Sequence, residues 1–220
     1  GRTTIEFLES KFVVAHPFYG PASSKTLREQ IRKDGLREPT SAQLAVFAHS
    51  LYGGERQIEQ EATSRMKKDY FRGFTGILFE PKEKLAYFID YPEFDDRSII
   101  NKDNLIKRIG ERRAEVPFEH LVEGAVEWRK VAKHPYFIAW AGGKEGAEKL
   151  GELASKHSRQ EAYIWVPSVS HLTQAEARTA TLGSDDGDRL VVGASSLGDN
   201  RVSYSFGVLE NSRSESRENK

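Results

Sequence analysis

Two nearly continuous apolar runs on either side of a short charged turn, within residues 74–91, constrain the fold more than any other segment. The runs centre on residues 77–79 and 87–89, and Pro81 suits the first central position of a type I turn between them. Strands covered on both faces read as continuous apolar runs, whereas half-exposed strands alternate. The sequence therefore predicts a β-hairpin in the centre of the core.

Three amphipathic helices are predicted before this hairpin. They cover about residues 24–34, then 40 or 41 to the glycine pair at 53–54, then 55–70. Ser23 or Ser24 can cap the first helix and Gly35 can end it. Apolar residues spaced three or four apart give each helix one buried face. The N-terminal third of the chain is therefore expected to be largely helical.

The segment after the hairpin is predicted to alternate between helices and strands. The predicted elements are a helix at 101–110, a short helix at 125–133, a strand at 136–140, a helix at 144–157 and a strand at 163–166. Gly142 and Gly143 would then join the strand at 136–140 to the helix that follows. This order predicts a β-Gly-Gly-α-β unit.

The C-terminal part is predicted to form three strands, at 178–182, 189–193 and 201–209, joined by Gly/Asp/Asn-rich turns. We therefore expect an α+β fold: a helical N-terminal third packed on a mixed sheet that ends in a C-terminal antiparallel meander. No Pro/Ser/Gly-rich linker divides the chain. Residues 1–210 are accordingly predicted to form a single domain, with 211–220 as a mobile polar tail.

Composition limits the classes of function. The chain has no cysteine, which excludes disulfides, thiolate metal sites and thiol nucleophiles. It has 33 Lys and Arg against 33 Asp and Glu, so nucleic acid is an unlikely partner, because phosphate contacts favour a basic excess. No run approaches the roughly 20 apolar residues of a membrane span. A cytoplasmic location without membrane association is expected, with the reservation that the chain begins with Gly1 rather than Met, which is compatible with a leader or tag already removed.

A short self-similarity supplies the candidate ligand-binding residues. A His-Pro-aromatic-aromatic motif at 16–19 recurs at 134–137, and each copy is followed by small residues, a lysine and a predicted helix. Backbone N–H groups at a helix N-terminus attract anions, and a lysine adds a positive charge. The alternative interpretation is ordinary helix capping and turn chemistry. The candidate residues are His16, Ser24, Lys25, His134, Gly142, Gly143 and Lys144.

No catalytic group, metal site or cofactor is predicted. The six histidines show no zinc-binding spacing, and the acidic clusters at 90–96 and 185–188 lack calcium-loop spacing. The function favoured by the sequence is a non-catalytic binding or interaction module, with a protein among the possible partners. The alternative is an enzyme or sensor for a small anionic ligand, phosphate-like or nucleotide-like, bound at helix N-termini.

Overall fold

The computed structural model describes residues 3–6, 12–185, 188–195 and 203–210. Within these ranges the chain forms a ten-stranded sheet and seven α-helices. The strands are β1 (Thr3–Glu6), β2 (Phe12–Ala22), β3 (Tyr70–Glu80), β4 (Leu85–Asp90), β5 (Ala114–Pro117), β6 (Gly124–Glu127), β7 (Glu161–Trp165), β8 (Glu176–Asp185), β9 (Arg189–Ser195) and β10 (Ser203–Glu210). The helices are α1 (Ser24–Lys33), α2 (Ser41–Leu51), α3 (Gln57–Lys68), α4 (Lys102–Lys107), α5 (Trp128–Val131), α6 (Pro135–Trp140) and α7 (Lys144–Ser155). The predicted α+β class is confirmed.

Strand β3 is the centre of the sheet, whose order is β1-β2-β10-β3-β8-β9-β7-β6. One edge of β3 pairs antiparallel with β8. The other edge is shared: Phe71 pairs with Tyr204 of β10 in parallel, and the strand then pairs antiparallel with β4 as far as Glu80 opposite Leu85. The predicted hairpin is therefore confirmed. Strand β5 continues the sheet beyond β4.

Both faces of the hairpin are covered, as its continuous apolar pattern predicted. On one face Phe79 and Phe88 are fully buried in the main core, to which α2 and α3 contribute their apolar faces. The ring of Phe47 in α2 stacks on Phe206 of β10, with ring centroids 4.2 Å apart. On the other face, Leu78 packs in a smaller cluster with Leu105 of α4. Burial of each such side chain contributes roughly 1.5–3 kcal/mol.

The three N-terminal helices are confirmed. Ser23 caps α1, since its hydroxyl oxygen accepts a hydrogen bond from the Thr26 backbone N–H. The Thr40 side chain likewise accepts from the Gln43 N–H, and the Gln43 side chain accepts from the Thr40 N–H, which completes a capping box at α2. Leu27 in α1 is among the fully buried side chains, in keeping with the predicted helical periodicity.

The prediction of a strand at 136–140 is wrong, because the segment is helix α6. Pro135 occupies the first turn of the helix, where its missing N–H costs nothing. The aromatic residues resemble a strand in the sequence because nearly all of α6 is buried. Their polar groups reach β9: the Trp140 indole N–H donates to the Gly193 carbonyl at 3.2 Å, and the Tyr136 hydroxyl donates to the Val192 carbonyl at 3.4 Å. The predicted β-Gly-Gly-α-β unit is thus α-Gly-Gly-α-β.

The short helix predicted at 125–133 is correct only in its second half. Residues 124–127 form strand β6, which pairs with β7, and the helix α5 begins at Trp128. Tertiary pairing with β7 therefore overrides the local helix preference of this segment.

The predicted meander is correct for two of its three strands. β8 and β9 form an antiparallel hairpin, but β10 lies on the far side of β3, between β3 and β2. Alternation along the segment identified a strand without identifying its partner. The turn residues predicted at 186–187 and 198–200, the first two residues of the strand predicted at 201–209 and the predicted mobile tail at 211–220 lie outside the described residues.

Truncation of Phe79 tests the central position of the hairpin. We expect Phe79→Ala to lower the free energy of unfolding by about 3–5 kcal/mol, because it leaves a cavity under a fully buried ring. Chemical denaturation measures this change. Ile106→Ala is the control, since that side chain is 39% exposed and its loss should cost less than about 1 kcal/mol. A similar small loss for Phe79→Ala would contradict the assignment.

Candidate ligand-binding groove

Three connecting segments meet at one end of the sheet. The strand register places them there: Glu80 of β3 lies opposite Leu85 of β4, which in turn lies opposite Pro117 of β5. On the other side of β3, Phe79 pairs with Glu176, where β8 begins. The three segments are the β3–β4 turn at 81–84, the β5–β6 connection at 118–123, and the chain from the end of β7 to the start of β8. Loops held together by a rigid scaffold commonly carry binding sites.

A groove of about 680 Å³ lies between these segments. All three segments contribute apolar surface, and the lining apolar side chains are Pro81, Phe118, Leu121, Val122, Val169 and Leu172. Leu121 is fully buried and anchors the connection in the main core, whereas Val122 is 70% exposed. Ligand pockets usually have this volume and a mainly apolar lining with a few polar groups.

The polar groups of the groove are carboxylates, hydroxyls and one lysine among the described residues: Lys84, Glu119, Glu123, Ser168 and Ser170. Glu123 accepts a hydrogen bond from the Tyr163 hydroxyl at 3.1 Å. Glu119 lies 3.5 Å from the His120 ring nitrogen Nε2.

Ser168 Oγ lies 3.3 Å from His171 Nδ1, but in the described part of the chain no carboxylate orients that histidine. The groove therefore presents binding groups without a nucleophile, base and orienting acid arranged together.

His134 lies close to His120 of the connection at 118–123. Its Nδ1 accepts a hydrogen bond from the Tyr136 backbone N–H at 3.2 Å, which caps α6. The ring centroids of His134 and His120 are 6.4 Å apart. Burial lowers the pKa of His134, and the nearby His120 lowers that pKa further. The neutral form of His134 is thus the form that supports the cap.

The structure separates the residues that the sequence grouped. His16 Nε2 lies 2.9 Å from Glu61 of α3. The Ser24 hydroxyl is buried and accepts from the Arg72 guanidinium at 2.6 Å, and Lys25 forms an ion pair with Asp96 at 2.8 Å. These side chains contact different segments and do not form one site with His134.

The glycine pair at 142–143 and the exposed Lys144 lie at the start of α7. This helix packs against α2, α5 and α6, whereas α1 packs against β2 and β10. Gly143 is the N-cap of α7, and no side chain of the described residues caps the helix. A cavity of about 410 Å³ touches both glycines and Arg113, whose guanidinium donates to Asp90, Ser41 and the Ala139 carbonyl. The two similar sequence segments therefore start helices in different surroundings.

Within the described ranges, no group of three His, Asp or Glu side chains is placed to hold a metal ion. No described helix is long and apolar enough to cross a membrane. The groove itself was missed by sequence reasoning, since its residues come from three separate segments. The available signal was the apolar content of the connection at 118–123, FEHLVE, which the sequence analysis left without an element.

Comparison with known proteins defines the fold. No protein-family model matches the chain, and no curated protein matches it in sequence. A solved structure superposes on this chain with a TM-score of 0.59 at 13% sequence identity. Its description is "Accommodation of massive sequence variation in Nanoarchaeota by the C-type lectin fold". The match covers 87% of this chain and 96% of that chain. The fold is similar to the C-type lectin fold. In this C-type lectin-like fold, the N-terminal strand β2 pairs with the C-terminal strand β10.

The His134 cap predicts a pH dependence of stability. Because the folded-state pKa of His134 lies below its ordinary value of 6.5, the folded protein binds protons less readily than the unfolded chain. The free energy of unfolding should therefore fall as the pH drops below about 6.5. His134→Asn keeps a capping side chain without a titrating ring, so we expect a flatter profile between pH 7 and 5.

Denaturant titration at several pH values measures this difference between the variant and the parent protein. His157, whose pKa is also lowered by burial, remains in both proteins and cancels in the comparison. Parallel profiles for His134→Asn and the parent would contradict the assigned role of His134.

Proposed function

We propose that the chain is a single-domain, non-catalytic binding module whose ligand occupies the groove formed by the turn at 81–84, the connection at 118–123 and the segment at 168–172. The observation that carries this proposal is the groove itself, an apolar cavity with a polar rim at one end of a rigid sheet. Its hydroxyls and carboxylates fit hydrogen bonding to a ligand better than covalent catalysis.

The division between scaffold and groove supports the proposal. The groove-lining Leu121 is buried in the main core, whereas the neighbouring Val122 is exposed at the groove surface. Substitutions at the groove surface can thus change recognition while the packed strands stay the same. The structurally similar Nanoarchaeota protein is described as a C-type lectin fold that accommodates massive sequence variation. A binding role for the present chain is consistent with that description.

A fragment screen by methyl NMR tests the groove as the binding site. We expect neutral apolar fragments to shift the methyl resonances of Val122, Val169 and Leu172, because these side chains line the groove. The methyls of Leu209, which is exposed elsewhere, serve as the internal control. Val122→Glu should weaken fragment binding, since it places a charge on the apolar surface. Fragments that shift no groove methyl would contradict the proposal.

The second candidate function is binding of a small anionic ligand at the start of α7. It is supported by the N-terminus of α7, which no described side chain caps, beside the cavity at Gly142 and Gly143, with Lys144 exposed next to them. The other predicted residues, His16, Ser24, Lys25 and His134, have the separate contacts described above and contribute nothing to this site.

Calorimetric titration with inorganic phosphate and ATP tests this candidate. If the site binds an anion, Lys144→Ala should weaken binding about tenfold, the usual effect of losing one charged hydrogen bond. Lys107→Ala, another exposed lysine, is the matched control and should leave affinity unchanged. The absence of millimolar binding, or equal affinity for both variants, would exclude an anion site at α7.

A further inference from the structure

We infer that the ligand of the groove is a peptide segment of a partner protein that carries an apolar side chain next to a lysine or arginine. This inference rests on the proposed function, because it assigns a ligand class to the same groove. It combines three features: an exposed apolar surface, carboxylates without a lysine or arginine partner among the described residues, and the two strands joined by the connection at 118–123, each of which pairs on one edge only within the described sheet.

The apolar surface requires an apolar ligand group. Val122 is 70% exposed, and it lines the groove together with the half-buried Phe118 and Leu172. Covering this surface removes apolar area from water, which stabilises a complex by about 25 cal/mol per Å² before the costs of association. One or two aliphatic or aromatic side chains fit a groove of about 680 Å³.

The carboxylates at the rim favour a cationic neighbour for that apolar side chain. Among the described residues, neither Glu119 nor Glu123 has a lysine or arginine within ion-pair distance. Glu123 accepts a hydrogen bond from the neutral Tyr163 hydroxyl, and Glu119 lies 3.5 Å from the His120 ring nitrogen. These two negative charges disfavour nucleic acid and anionic lipid surfaces as occupants and attract a basic side chain. Lys84 on the turn at 81–84 can pair with an acidic group further along a peptide.

The strands next to the groove favour a peptide over a small amine. The connection at 118–123 lines the groove and joins β5 to β6, and within the described sheet each of these strands pairs on one edge only. A free strand edge offers backbone N–H and C=O groups that an extended peptide can pair with. A peptide can thus use backbone hydrogen bonds at the edge while its side chains occupy the groove.

Selection from a random heptapeptide library displayed on phage tests the ligand class. We expect the enriched sequences to place an aliphatic or aromatic residue beside Lys or Arg. The leading synthetic peptide is then measured by fluorescence anisotropy against the double variant Glu119→Gln/Glu123→Gln. This variant should bind about three- to tenfold more weakly, the combined effect of losing two exposed ion pairs. Higher salt should weaken the parent complex more than the variant complex.

The controls separate the charge effect from misfolding. Gln at position 123 keeps an oxygen that can accept from Tyr163, and circular dichroism checks the fold. Glu148→Gln, an exposed carboxylate on α7, should bind as the parent does. Enriched peptides that lack a basic residue, or that bind the double variant equally well, would overturn this inference while fragment binding in the groove still supports the proposed function. If neither peptides nor fragments bind, both fail.

Discussion

The burial of both faces of β3 is the constraint on which the rest of the structure depends. A strand with nine consecutive buried residues needs apolar partners above and below the sheet and hydrogen-bonding partners on both edges. Helices α2 and α3 lie on one face, and the cluster around Leu78 and Leu105 lies on the other. Strands β8, β10 and β4 satisfy the edges. The mixed sheet follows from these two requirements, apolar cover on both faces of β3 and hydrogen-bonding partners on both of its edges.

The same pairing positions the candidate groove. Because the register of β3, β4, β5 and β8 is fixed, the turn at 81–84, the connection at 118–123 and the segment before β8 lie at the same end. Leu121 anchors the connection from below, and the capping contact of His134 supports the helix behind it. The groove surface therefore depends on the core for its shape, while its exposed side chains are not needed to hold the core together.

The sequence predicts the helices and hairpins whose signals lie within one short segment of the chain. The hairpin, α1 to α3 and the β8–β9 hairpin all have signals within a few residues of one another, and the structure confirms them. Helix α6 was mistaken for a strand because its aromatic side chains are buried on nearly all sides and show no helical periodicity. The position of β10 depends on its pairing with β2 and β3, two strands that are distant in the sequence, and no local pattern encodes this pairing.

The candidate site was not predictable for a related reason. Helix-capping motifs at 23–25 and 142–144 are local and were recognised, but similarity in sequence does not bring segments together, and each has its own neighbours. The groove residues, in contrast, belong to no local motif. Lys84, Val122 and Leu172 come from three separate segments and line one surface only because the register of the sheet brings those segments together. Binding sites assembled from several connections need the fold before they can be recognised.

The most direct test of the account is photo-crosslinking from the groove. The chain has no cysteine, so Val122→Cys can be labelled at a single position with a benzophenone maleimide. With a library-selected peptide present, we expect crosslinking from position 122 that excess unlabelled peptide suppresses, and none from Glu148→Cys labelled in the same way. Equal crosslinking from both positions, or crosslinking from position 148 alone, would contradict the claim that the groove at the end of the sheet is the binding site.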